Sequence, residues 1–421
     1  MKHLLLFIIL IQNGYFIILK GTLHHINYPS TPFTGDVYIT TKLCFNKITC
    51  IDAIIDINDK LTLIASNKAY PQYGIDELTI PNMYDTERGY YIGLGNNKSI
   101  QTNIYNTSIQ FTSSLNGNDT SLDSFHFLLM NKVTFDMSSL GTHIGILGLG
   151  YHSHLGESFS IVNHLYNQNI TSNLNMGYVF TSKQNVDIFI GDNHEYNKPS
   201  FINSFTFCSI SMTSSLATSS MFYCKLETML YNDHNKNDYV PIKTFNGKIV
   251  IFSTKGDRFE APEEGGEELL QLYKKIAGDN CDIQYNSDIN SNYMQCKKDY
   301  DVTQFPSIKL KFKDTKGYIL VHAKDLFDEN GTGLLNVRKF TLGWIFGMRV
   351  MKYYDFYVNY ELGTVGLREN GIFENEYTKN NNNKMSCILM WCIIIIMNLT
   401  CSLMILIYKL ISNDLGMNIK L

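Results

Sequence analysis

The sequence predicts an all-β chain built from two similar lobes, and three observations carry that expectation. Short alternating or continuous apolar runs, among them Ile51–Ile57, Leu61–Ala65, Ser108–Thr112, Val186–Ile190 and Ser307–Phe312, are separated by clusters of Asn, Asp, Gly and Ser, which is how strands and their turns read. Helical signals are few: Phe159–Gln168 is a short amphipathic segment. The other follows Pro262 and runs from Glu263, Glu264 and Glu267 through Leu269–Leu270 to Lys274–Lys275, acidic at its start and basic at its end as the helix dipole favours. Finally, one pattern occurs twice. Ile54–Ile55–Asp56 precedes Gly145–Ile146–Leu147–Gly148, and Val250–Ile251–Phe252–Ser253 precedes Trp344–Ile345–Phe346–Gly347. The polar turn residue and the glycine lie 92 positions apart in the first case and 94 in the second. Such a recurrence predicts duplicated β lobes.

Composition narrows the class. With 421 residues, 44% of them hydrophobic, the chain is neither disordered nor collagen-like, and it is long enough for two or three domains with substantial cores. Its 35 basic and 39 acidic residues are scattered, for a net charge of −4, so no basic face points to a nucleic-acid partner.

Both ends read as membrane-directed. Met1–Lys2–His3 leads an apolar run from Leu4 to Ile11, and a second apolar patch, Tyr15–Leu19, ends at Lys20. This predicts a signal peptide over residues 1–21, with a retained signal anchor as the alternative because Gln12, Asn13 and Gly14 interrupt the run. From Met385 to Ile411 the only charge is Lys409, and the stretch exceeds the roughly 20 residues that span a bilayer. A transmembrane helix is therefore expected over 385–411, after an asparagine-rich stalk at 376–384 and before a short tail at 412–421. The lobes are assigned to 22–195 and 196–375. That topology is single-pass type I in the secretory pathway, with a lumenal or extracellular ectodomain.

Six cysteines lie in the ectodomain, and their close spacings in an oxidising compartment suggest sequential disulfides, Cys44 with Cys50, Cys208 with Cys224 and Cys281 with Cys296, out of fifteen possible pairings. None of the spacings matches a zinc site, and no metal or other cofactor is expected. Sequons at Asn97, Asn106, Asn118, Asn169 and Asn330 suit a glycosylated lumenal domain. His152–Ser153–His154, with His143 nearby, has no cysteine or carboxylate placed to complete a coordination sphere and reads as a solvated loop. Neither a Gly-x-Ser-x-Gly elbow nor a His-Glu-x-x-His helix occurs.

Several of these motifs together resemble one family. Gly145–Ile146–Leu147–Gly148–Leu149–Gly150–Tyr151 is similar to the first-lobe glycine motif of pepsin-like aspartic proteases. Trp344–Ile345–Phe346–Gly347, leading through Tyr353–Tyr354 to Val365–Gly366–Leu367, is similar to their closing motif. Val186–Gly191 resembles the strand that closes the first lobe, and Phe305–Leu310 the family's Leu-Pro-x-Ile strand. The likeness covers about residues 33–370. It implies a bilobal pepsin-like acid protease fold with few short helices, and the membrane anchor suggests the plasmepsin type.

The resemblance also implies where catalysis would reside. The family needs two aspartates, one per lobe, sharing a proton so that one activates water and the other donates to the peptide carbonyl. Each normally sits in Asp-Thr-Gly, whose threonine ties the two loops together by hydrogen bonds. Here Asp56–Ile57–Asn58 keeps only the aspartate, and Asn58, tolerant of positive φ, is expected to preserve the turn. In the second lobe Ser253, Thr254 and Lys255 take the three positions. A frame shifted by four would instead offer Asp257, at the cost of the apolar residues that should precede it. Asp52 reads as an exposed strand residue. The flap alignment places Leu94–Gly95 where a tyrosine and a glycine are usual, with Tyr90 or Tyr91 able to substitute only in a different register. A serine can neither carry the charge nor share the acidic proton, and losing one acid/base partner forfeits about 10²–10⁴ in rate. The expected function is thus a pseudoprotease that holds an extended peptide or protein partner between its lobes. The alternatives are an atypical active endopeptidase using Asp56 and a second, unidentified acid, or a purely structural role on the membrane.

Overall fold

Among the described residues twenty-three strands dominate the fold, as the alternating runs predict. The computed structural model describes residues 16–373 apart from 27–35, 59, 81, 96–97, 112–119, 135–144, 151–158, 192–198, 210–222, 234–237, 243–248, 255–258, 288–289, 314, 316, 329, 340 and 342. The expected stalk, transmembrane helix and tail, the leader before residue 16, Asn97, Asn118, Asp257 and the histidines 143, 152 and 154 all fall outside the described residues. Among the described residues no helix is long and apolar enough to cross a membrane.

In the first half the strands are β1 (Phe16–Ile26), β2 (Asp36–Phe45), β3 (Thr49–Asp56), β4 (Leu63–Ala65), β5 (Tyr84–Gly95), β6 (Lys98–Phe111), β7 (Thr120–Val133), β8 (Gly145–Gly148), β9 (Asn175–Phe180) and β10 (Asn185–Gly191). The second half has β11 (Thr206–Ser209), β12 (Tyr223–Asp233), β13 (Asp238–Pro241), β14 (Ile249–Phe252), β15 (Phe259–Pro262), β16 (Cys281–Asn286) and β17 (Ser291–Cys296). It continues with β18 (Ile308–Phe312), β19 (Tyr318–Val321), β20 (Leu335–Arg338), β21 (Gly343–Phe346), β22 (Tyr354–Asn359) and β23 (Thr364–Glu369). The two expected helices are present as α1 (Ile161–Asn167) and, after a four-residue turn of helix α2 (Pro199–Ile202), α3 (Glu263–Ala277). The start of α3 differs from the sequence expectation. Glu264 has extended ψ and Gly265 a φ of 71°, so the acidic pair precedes the regular helix and does not sit in its first turn. At the other end Lys274 behaves as expected: its ammonium donates to the carbonyls of Gly278 and Cys281 at 2.9 and 2.7 Å.

The duplicated pattern is the topology. In the first lobe β3 pairs parallel with β8, β8 antiparallel with β4, and β4 parallel with β7. In the second lobe β14, β21, β15 and β20 repeat that order and those directions. Asp56 pairs with Gly148 and Phe252 with Phe346, so the recurring sequence segments are the paired central strands of each lobe. Each lobe encloses its own aromatic core, Phe45, Phe111, Phe125 and Phe127 in one and Phe252, Phe259, Trp344 and Phe346 in the other.

The lobes join through a continuous sheet. Strands run in the order β1, β10, β9, β22, β23, β11, the first three from the first half and the last three from the second. At the seam Phe356 pairs with Tyr178 and Tyr357 with Gly177, and the Tyr178 and Phe356 rings stack at 5.5 Å. A Cβ at Gly177 would lie 2.3 Å from the Phe356 carbonyl oxygen, so only glycine admits this approach. Asp355, 1% exposed, locks the seam further: it accepts from the Phe180 amide at 3.0 Å and pairs with the Arg368 guanidinium. Burial raises the Asp355 carboxyl above its ordinary value, against the opposing pull of Arg368.

This arrangement bears on the expected leader boundary at residue 21, which falls inside β1. Ile17, Ile18 and Leu19 are buried, and Phe16–Thr22 pair with Gly191–Asn185 of β10. The apolar patch read as the end of a signal is thus a core strand in the described fold, and β11 occupies the matching place on the other side of the seam. Among the described residues six cysteines pair in sequential order, closing the β2–β3 and β16–β17 hairpins and tying β11 to β12. Loops of this size contribute about 2–4 kcal/mol each.

Two outcomes are expected. Leu19→Ala, which empties a fully buried position in β1, lowers stability by about 2–5 kcal/mol in urea unfolding of the full chain. Burial also lowers His322 below its ordinary 6.5, with Asp325 opposing and Lys324 adding to the shift. The folded state therefore disfavours the charged imidazole. Its contribution is complete above pH 6.5 and declines as pH falls below that value toward the lowered folded pKa. Comparing the urea midpoint of wild type with that of His322→Gln between pH 7 and pH 5 isolates this slope, which is shallower in the variant.

Candidate functional site

Asp56 closes β3 at the point where the parallel β3–β8 pairing ends, and Ser253 follows β14 at the equivalent place in the second lobe. The backbone secures both: the Leu149 amide donates to the Asp56 carbonyl at 2.9 Å, and the Ser253 amide to the Phe346 carbonyl at 2.8 Å. The two loops meet. Thr254, fully buried, donates its hydroxyl to the Ile55 carbonyl at 2.8 Å and accepts from the Ile57 amide at 3.2 Å. Thr254 thus ties the second-lobe loop to the first in the way the family resemblance implies. Ile57 has no hydroxyl with which to return the contact.

Asn58 departs from its expected part. Its φ is not positive, so it does not stand in for glycine by adopting the left-handed region. Instead its amide donates to Asp56 Oδ1 at 2.9 Å, and its side-chain Nδ2 donates across the lobe boundary to the Phe252 carbonyl. Nothing in the sequence alone signals this reach, because the acceptor lies 194 residues away. A further tie missed in the sequence is the Tyr360 hydroxyl, which donates to the Leu149 carbonyl at 2.7 Å from the opposite half of the chain. Complete burial of Tyr360 raises its phenol well above the ordinary value and keeps it a donor.

The chemistry available at this junction is limited by its acids. Asp56 is 6% exposed. Other buried carboxylates have partners elsewhere: Asp187 pairs with Lys20 at 2.7 Å, Glu260 with Arg338 at 3.2 Å, and Asp355 with Arg368. Asp325 accepts from the Tyr353 hydroxyl at 2.6 Å, and Asp328 from the amides of Asn330 and Thr332. Asp52 is exposed and lies opposite Lys42 in the β2–β3 ladder.

The segment expected to form the flap is the hairpin of β5 and β6. Its ladder ends with Gly93 opposite Ser99 and Gly95 opposite Lys98, which puts Leu94–Gly95 beside the tip. Tyr90 and Tyr91 pair with Thr102 and Gln101, well back from it, and Tyr90 packs edge-on against Phe159 at 5.9 Å. Of the sequons in described segments, Asn169 and Asn330 are exposed at turns. Asn106 lies within β6, half-buried, and accepts from the Ser124 hydroxyl at 2.9 Å. Among the described residues no cluster of His, Cys, Asp and Glu is arranged to hold a metal ion.

Paired lobes with parallel central strands, two loops meeting between them and a long β5–β6 hairpin in the first lobe match a bilobal pepsin-like fold. No family model matches the chain, and neither does any curated protein. Among solved structures, basic 7S globulin from soybean aligns with a TM-score of 0.59 and 12% identity, covering 85% of this chain and 96% of its own. Conglutin gamma, a basic 7S globulin from lupine seeds, aligns with a TM-score of 0.61 and 11% identity, covering 85% of this chain and 95% of its own. At these identities the shared property is the fold.

Proposed function

We propose that the chain is a pseudoprotease: a pepsin-like ectodomain that holds an extended peptide or protein partner between its lobes without cutting it. On this reading it is carried in the secretory pathway on a single-pass membrane anchor. The observation that carries the reading is the pairing of positions at the lobe junction, an aspartate at 56 in one lobe and a serine at 253 in the other. A serine hydroxyl does not ionise near neutral pH, so the shared proton that divides the work between general acid and general base has no second owner. Binding survives such a loss, because main-chain hydrogen bonds along an extended peptide and pockets for alternate side chains supply affinity without either carboxylate.

The competing reading, an active membrane-anchored endopeptidase of plasmepsin type, requires a second acid, and the buried carboxylates named above are committed elsewhere. Incubation of the purified full-length chain with a broad peptide library between pH 4 and pH 7 is expected to yield no cleavage. Turnover that pepstatin blocks and Asp56→Ala abolishes would overturn the proposal.

A further inference from the structure

We propose that Asp56 and Asn58 form an interlobe clasp: Asn58 makes the cross-lobe hydrogen bond that Ile57 cannot, and Asp56 is retained as the acceptor that aims it. This deepens the non-catalytic reading and rests on it. The duplicated strands give the correspondence. Matching β3 to β14 places Ile55 with Phe252, Asp56 with Ser253 and Ile57 with Thr254. In one direction the Thr254 hydroxyl donates to the Ile55 carbonyl. The mirror contact would run from position 57 to the Phe252 carbonyl, and Ile57 has no donor to make it.

Phe252 nevertheless receives a side-chain donor from the opposite lobe, because Asn58 Nδ2 reaches it from one residue further along. Both carbonyls that precede the two turns, at 55 and 252, therefore accept from the other lobe, one from a hydroxyl and one from a carboxamide. The Asn58 amide bonded to Asp56 Oδ1 holds the turn so that the side chain crosses the boundary. Asn58 Oδ1 is buried with no hydrogen-bond partner. An unsatisfied buried carbonyl oxygen is destabilising, and neither glycine nor alanine would carry it, so the stabilising part of this side chain is its Nδ2 donor. Asp56 thereby acquires a use that needs only an acceptor oxygen and no charge.

Thermal unfolding of the full-length chain tests both halves. Asn58→Ala is expected to lower Tm by about 2–4 °C. Adding Ile57→Thr to that variant recovers most of the loss, because a threonine at 57 restores the mirrored donor, whereas Ile57→Thr alone brings no gain. Asp56→Asn, which keeps an acceptor oxygen, leaves Tm within about 1 °C of wild type, while Asp56→Ala lowers it as Asn58→Ala does. An unchanged Tm in Asn58→Ala, or no recovery on adding Ile57→Thr, would overturn the clasp. A loss in Asp56→Asn equal to that in Asp56→Ala would overturn the role given to Asp56. Peptide cleavage by the wild type would sink the non-catalytic reading separately, since it appears in a different assay and leaves the Tm pattern as it stands.

Discussion

The hydroxyl of Thr254 is the interaction on which the lobe junction depends. A fully buried hydroxyl must find partners, and both of its partners belong to the other lobe, the Ile55 carbonyl and the Ile57 amide. That pair of bonds fixes where the end of β3 stands relative to the end of β14. From it follow the positions of Asp56 and Ser253, the reach of Asn58 to the Phe252 carbonyl, and the meeting of the two loops at all. The sheet seam at β9 and β22 brings the halves together over a broad front, and Thr254 sets them in register at the point where chemistry would occur.

On the proposed reading the junction is mechanically tied and chemically halved. Pepsin-like catalysis demands two acids close enough that they cannot both ionise, and a single carboxylate opposite a hydroxyl is not a weaker version of that arrangement. What remains is a pair of lobes cross-bonded by Thr254, Asn58, Asp355 and Tyr360, with a long hairpin in one of them. On the proposed reading such a frame receives an extended chain and does not hydrolyse it.

Much of this architecture is legible in the amino-acid sequence, for identifiable reasons. The central strands carry apolar stretches buried on both faces, Ala53–Ile55 and Val250–Phe252, so they stand out, and their recurrence predicts the paired parallel strands. The cysteines are readable because hairpin partners lie close in sequence as well as in space, as Cys44 and Cys50 do. Phe16–Leu19 is ambiguous in the sequence because such an apolar patch has the same composition whether it enters a bilayer or a sheet; periodicity does not separate the two, and its pairing with β10 is visible only in the fold. Asn58 misleads. Its local conformational tolerance suggests a turn role, while its actual contact is set by a carbonyl in the other lobe that no local pattern encodes.

The most direct test of this account is hydrogen exchange at the Ile57 amide, read by mass spectrometry on peptides spanning 54–58 in the full-length chain. If the Thr254 hydroxyl fixes the junction, this amide exchanges only on global unfolding in the wild type. In Thr254→Val it becomes labile while amides of the β9–β22 seam stay protected. Rapid exchange at Ile57 in the wild type, or protection unchanged by Thr254→Val, would contradict the account.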